Sequence, residues 1–390
     1  VWVPSDVVLP DDPDFDNDGI FNVDDPFTRD PTNGGSVTIV PGAPFLWSFA
    51  ASGTGADFPG PDGYGGGLTG VMVNGTTDFE AFFQEPSDAP GQDVKLDNVK
   101  FNTAAGGGST VVELVSNGDP FLTQNDGEFL FHTGVNVAPT VETFNVRWSF
   151  LNPGDAFTGT FQQIGGYIGT GDQSNYLKLV AIQHPDGEIQ FTLENDDVVA
   201  ETGFVQADDL FAVSEADAKR VFLDLLVDPA AATATPTVTY EVASGPDKVV
   251  SGPAIDLSGS NVLAAINGNH TVQGQTSGLA VGLFSSNTGE PAANTFQAVF
   301  DDIEITATEA ELPPDAVNDI FTTPVNAVLT IPVADLLAND VDLNVGDTLA
   351  VTAVTANDAN ATVVLDDNGT PGDPADDVVT VTPATDFEGT

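Results

Sequence analysis

Asp14, Asp16 and Asp18 stand at alternate positions in the stretch DFDNDGIFNVDD, and Asn22 and Asp25 follow at positions 9 and 12 of a count that starts at Asp14. Gly19 takes position 6, and Ile20 takes position 7, where a backbone carbonyl adds a further oxygen. This is the ligand spacing of a calcium loop, because a hard cation takes about six to eight oxygens and a glycine permits the sharp turn that gathers them. Asp14, Asp16, Asp18, Ile20, Asn22 and Asp25 are therefore the candidate metal ligands, and calcium is the expected cofactor. An Asp at position 12 instead of Glu, without flanking amphipathic patterns, separates the stretch from a helix-loop-helix hand. The other reading is a solvated Asp-rich linker. Without a cation the clustered oxygens repel one another and the segment loosens, so calcium would act as a structural staple.

Eight Lys plus Arg against 59 Asp plus Glu give a net charge of −51. Such a charge repels nucleic acid phosphates and anionic lipid heads, so no nucleic acid partner is expected. No run approaches the ~20 apolar residues of a membrane span, which argues against direct membrane insertion. The last basic residue is Lys248, and the carboxylates beyond it need solvent, salt or bound cations. Cysteine is absent, which removes disulfides and thiol nucleophiles, and His132, His184 and His270 are scattered without a tight ligand pair. No GxSxG elbow, phosphate-cradling loop or ExDxxE strand occurs. The sequence thus predicts no enzyme, although folding alone can bring two acids together.

Forty Gly and 27 Pro, with much Thr and Val, favour strands joined by turns. Asn33-Gly34, Asp62-Gly63, Asn74-Gly75, Asn117-Gly118, Asp126-Gly127, Asp186-Gly187 and Asn267-Gly268 punctuate the apolar runs as hairpin signals. The expectation is an all-β chain. Only residues 214–228, SEADAKRVFLDLLVD, offer a helix, and Val221, Leu223 and Leu225 also alternate as a strand; a short helical turn feeding a strand is the favoured reading. Three segments emerge: an Asp-rich calcium-binding segment at 1–35 with little to bury, a strand-rich domain at 36–309, and a third domain at 310–390 behind the stiff Pro313-Pro314 pair.

The opening loop resembles a thrombospondin type 3 calcium repeat, DxDxDGxxNxxD, with Pro26 and Phe27 closing the unit where that family often has a cysteine. The central domain resembles concanavalin A-like, or laminin G-like, jelly rolls through GYIGTGDQSNYLKLV at 166–180, GLAVGLFSS at 278–286 and FQAVFDDIEIT at 296–306. Ile164, Tyr167 and Ile168 are expected to pair with Tyr176, Leu177 and Leu179 about Gly171 and Asp172. The resemblance implies glycan binding by an aromatic platform with amide and carboxylate hydrogen bonds. It nominates Asp172, Gln173, Asn175 and Tyr176, with Tyr64 and Trp148 as stacking surfaces. Trp148 in VRWSF also alternates like a core aromatic, and Asn175 also suits a turn cap. Asp301 and Asp302 are either a second calcium site or a solvated strand end.

Residues 313–390 resemble the cadherin-like immunoglobulin-fold repeats of large bacterial surface adhesins, through AVND at 316–319, LLANDVD at 336–342, GDTLAVTAV at 346–354 and VTVTPATDFEGT at 379–390. The resemblance implies an incomplete immunoglobulin-like sandwich that lacks its last strand. Either the chain is a fragment, or a neighbouring molecule supplies the strand; the N-terminal VWVPSDVVLP of another copy would do so in a filament. Asp315, Asp319, Asn339, Asp340, Asp342 and Asp347 form an acidic group in which Asp340 and Asp342 are metal candidates, or simple turn residues. Together the resemblances imply an extracellular prokaryotic protein, secreted or at the cell surface. It would be calcium-stabilised and structural or adhesive, with other copies or neighbouring domains of the same protein, and glycans, as partners. The alternatives are a carbohydrate-binding module or a glycan hydrolase.

Overall fold

The computed structural model describes residues 14, 16–48, 68–73, 101–102, 110–115, 128–129, 131–151, 157, 162–183, 187–206, 218–242, 245–286, 295–310, 313–342, 344, 347–357, 359–368 and 376–389. The chain is all-β and divides into two compact units, Val1–Glu309 and Ala310–Thr390. No described helix is long and apolar enough to cross a membrane.

The first unit is built on two nine-stranded sheets among the described residues. The first sheet runs Thr38–Ile39, Phe131–Val137, Leu279–Ser286, Gln163–Gly169, Tyr176–Ile182, Glu188–Asn195, Val198–Gln206, with Gly70–Val71 and Glu128–Phe129 at its side. The second runs Lys248–Ser251, Thr233–Val242, Ala218–Asp228, Val141–Leu151, Thr295–Glu309, Thr110–Val115, Phe101–Asn102, flanked by Ile255–Asp256 and Phe45–Ser48. Among the described strands of these sheets, pairing is antiparallel except between Thr38–Ile39 and Phe131–Val137, and Val73 makes an isolated parallel bridge to Asp172.

Period-two burial builds the core between the sheets. Val221, Leu223, Leu225 and Val227 are fully buried, as are Val146, Trp148 and Phe150 on the neighbouring strand. From the other sheet Ile164, Ile168, Leu177 and Leu179 close the layer. Residues 218–228 are therefore strand throughout, because alternate side chains reach one core; residues 214–217 lie outside the described part. The hairpin about Gly171 and Asp172 forms as expected, with Ile168 opposite Leu177 and Gly166 opposite Leu179. A helix that the sequence reading did not anticipate covers Asn261–Ile266; Ser260 Oγ accepts from the Leu263 N–H, and Val262, Ala265 and Ile266 are buried.

The second unit holds a three-stranded antiparallel sheet, Leu329–Pro332, Val378–Pro383, Ala361–Asp366, and a four-residue helix, Val333–Leu336. The expected strand at TLAVTAV joins no sheet. Ile331, Val333 and Val379 are its buried apolar side chains among the described residues, whereas Ile320 is 90 % exposed.

Candidate metal centre

The acidic loop closes on itself through its own carboxylates. Asp16 Oδ1 accepts from the Asp18 N–H at 3.2 Å, Asp18 Oδ1 from the Ile20 N–H at 2.7 Å, and Asp14 Oδ2 from the Gly19 N–H at 3.1 Å. Asn17 at φ 62° and Gly19 at φ 95° supply the left-handed bends this needs. The chain then turns again, with Phe21 O accepting from the Asp24 and Asp25 N–H groups and Asp25 Oδ1 from the Phe27 N–H at 2.8 Å. The Ile20 side chain is fully buried and pins the loop, and Asn22 is buried beside it in the chain.

Each of these carboxylates has one oxygen on the backbone. The second oxygens of Asp16, Asp18 and Asp25 are buried without a hydrogen-bond partner. Asp14, Asp16 and Asp18 offer oxygens that all lie within 4.8 Å of one another, the only such group among the described residues. Asp25 is 0 % exposed, and burial pushes its carboxyl up to about 8 against the pull of the Phe27 N–H, with the charges of Asp16, Asp18 and Asp14 adding to the rise. Burial, then the charge of Asp18, pushes Asp16 up to about 7, and Asp18 is raised by burial as well. Buried like charges, each with one oxygen left unbonded, need protons or a cation. The donors are all oxygens, which suits a hard divalent cation and not a soft one.

The loop is seated on the outer face of the first sheet rather than hanging as a coreless leader, a correction to the expectation that it has little to bury. Phe27 is fully buried with Met72, Tyr167, Tyr176, Val180, Ala280 and Phe284, and meets the His132 ring edge-on at 5.1 Å. His132 Nε2 bonds the Pro26 carbonyl and Nδ1 the Tyr167 hydroxyl. Because the carbonyl only accepts, Nε2 carries a proton, and in the neutral ring Nδ1 accepts from the Tyr167 hydroxyl. Burial raises the Tyr167 hydroxyl well above its ordinary range, so it stays a donor. A Cβ at Gly134 would lie 2.0 Å from Gly34 Cα, and one at Gly278 2.3 Å from Gly34 O; these two glycines give the Asn33-Gly34 turn its seat. Asn33 Nδ2 donates to Thr276 O at 3.0 Å, Gln275 Nε2 to Asp18 O at 3.0 Å, and Gln273 Nε2 to Asp24 Oδ2 at 2.9 Å. His132, Gln273 and Gln275 were invisible as partners in the sequence, standing 106, 249 and 257 residues from the groups they hold.

The residues nominated for glycan contact make hydrogen bonds within their own turn and to neighbouring elements. Asp172 accepts from Thr170 Oγ1, the Ser174 N–H and Asn175 Nδ2. Asn175 Oδ1 accepts from the Asp196 N–H and Asn261 Nδ2, tying the turn to its neighbour and to the helix. Gln173 is buried with its N–H on Val73 O, and Tyr176 donates from its buried hydroxyl to Glu194 Oε2 at 3.0 Å. Trp148 is core, its ring where a Cβ on Gly166 would fall; Tyr64 lies outside the described residues. Asp301 is paired with Arg220 at 2.6 Å. In the second unit Asp340 Oδ1 accepts from the Val317 N–H and Asp342 Oδ1 from the Asn344 N–H, the bonds of turn residues.

Residues 310–390 match the family model of a cadherin-like domain. Similar solved structures include the GH43 BlXynB protein from Bacillus licheniformis, 15 % identical over 53 % of this chain and 34 % of that one, with a TM-score of 0.34. This chain thus spans about a third of the length of that protein. Two others are arcelin-5, a lectin-like defense protein from Phaseolus vulgaris (9 % identity, 55 % and 91 % coverage, TM-score 0.32), and lectin I-B4 from Griffonia simplicifolia in its metal-free form (15 %, 56 % and 95 %, 0.31). Comparison with curated protein sequences gives no match.

Proposed function

We propose that this chain is a non-catalytic, calcium-stabilised structural or adhesive protein of the cell exterior, in which the Asp14–Asp25 loop holds one calcium ion. The observation that carries the reading is the convergence of Asp14, Asp16 and Asp18 with the fully buried Asp25, three of these residues keeping a buried oxygen free of hydrogen bonds. Asn22 and the Ile20 carbonyl complete the expected ligand set. The cadherin-like match over residues 310–390 supports an adhesive context, with neighbouring domains or further copies as partners.

A carbohydrate-binding module is the second reading. It draws on the outer face of the first sheet, where Tyr167, Tyr176 and Phe284 lie with Lys178, Gln163 and Glu194; their burial and mutual hydrogen bonds rank it lower. Calorimetric titration of calcium into the chelator-treated full chain tests the first reading. One ion bound per chain with a raised melting temperature is expected; no heat and no shift would end it. Binding to a glycan panel without any response to calcium would favour the second.

A further inference from the structure

The hairpin formed by Thr271–Val272 and Gln275–Thr276 reaches the acidic loop with two side-chain amides. Gln275 Nε2 donates to the Asp18 carbonyl at 3.0 Å. That carbonyl belongs to the same rigid peptide unit as the Gly19 N–H, which donates to Asp14 Oδ2 at 3.1 Å. Gln275 therefore fixes, through one planar group, the direction in which a metal-facing carboxylate is held. Gln273 Nε2 donates to Asp24 Oδ2 at 2.9 Å, while the next residue, Asp25, is fully buried.

The hairpin itself is held to this task. Its turn has positive φ at both central residues, 47° at Gln273 and 86° at Gly274, the geometry of a tight two-residue connection. Its base is tied to the segment beyond the loop by Asn33 Nδ2 on Thr276 O and by the Gly278 N–H on Asn33 O at 2.9 Å. Otherwise Gln273, Gln275 and Thr276 are exposed.

We propose that this hairpin is the outer wall of the metal site: Gln275, seconded by Gln273, positions the loop for the cation, and the cation in turn orders the hairpin. The inference rests on the calcium reading above and adds an element about 250 residues away in sequence. The coupling is reciprocal, since an element that favours the bound loop is itself favoured by binding.

The test uses the full chain and calcium itself. Gln275→Met keeps the bulk and removes the donor; its calcium dissociation constant is expected to rise about tenfold, the effect usual for partners one step behind the ligands. Its melting temperature in chelator is expected to match the unsubstituted protein, because the side chain is exposed. Amide exchange at residues 271–276 is expected to slow when calcium is added. Unchanged affinity in Gln275→Met, or hairpin exchange indifferent to calcium, overturns the inference while leaving the metal site standing. Failure of the unsubstituted chain to bind calcium overturns both.

Discussion

Among the described residues of the first unit, Asp25 combines full burial with the strongest upward push on a carboxyl. It is fully buried, one oxygen is spent on the Phe27 N–H, and three other carboxylates raise its pKa. Asp25→Asn keeps an oxygen for Phe27 and removes the charge. Two opposite effects are expected: a rise of about 2–4 °C in the melting temperature of the calcium-free protein, and calcium binding weakened by more than about tenfold, read by scanning calorimetry and titration. The pH dependence has a definite sign. Asp16 and Asp25 are raised from 3.8 to about 7 and about 8, so their contribution to stability is fully present below the unfolded value and is lost as pH rises through the folded ones. The calcium-free melting temperature should therefore fall as pH rises from about 4 to about 8, and level off above that. Saturating calcium should abolish that fall, and calcium affinity should climb across the same window as protons cease to compete.

Glycines decide how the loop meets the sheet. Gly134 and Gly278, on and beside adjacent strands, leave room for the Gly34 backbone, and Phe27 fills the hollow next to them. Gly134→Ala puts a methyl 2.0 Å from Gly34 Cα, so the segment must lift; a loss of about 1–3 kcal/mol and weaker calcium binding are expected in denaturant titrations with and without the metal. Little of this seat was readable beforehand. The ligand spacing from Asp14 to Asp25 is local and therefore legible, as is the alternation that makes 176–182 a strand. Burial of Phe27 and Pro26 depends on a sheet face assembled from residues 131–137, 163–169 and 279–286, and no local pattern announces it. The tight turn at Asp196-Asp197, with φ of 52° and 61°, was missed because it lacks the glycine usual at such turns. The spacing around Asp172 and Asn175 did not reveal that Asp172 bonds within its own turn while Asn175 Oδ1 reaches the Asp196 N–H of the neighbouring turn.

A net charge of −51 burdens both units, yet only the first has a described acidic cluster able to enclose an ion. General repulsion and specific coordination should therefore separate experimentally. Monovalent salt screens exposed carboxylates at any position, with a Debye length of about 10 Å at 0.1 M, and so raises stability gradually and everywhere. Calcium at an enclosed site adds a term that grows as RT ln(1 + [L]/Kd) and is confined to the unit that contains it. Scanning calorimetry of the full chain is expected to resolve two transitions, matching Val1–Glu309 and Ala310–Thr390. At fixed ionic strength, calcium should move the transition of the first unit upward by several degrees at about a hundredfold excess over Kd, where the binding term is about 2.7 kcal/mol. The second unit should follow salt alone, because Asp340 and Asp342 already have oxygens on the Val317 and Asn344 N–H groups. Equal calcium shifts in both transitions, at constant ionic strength, would mean that the metal acts on the chain as diffuse counterion and not through the Asp14–Asp25 loop.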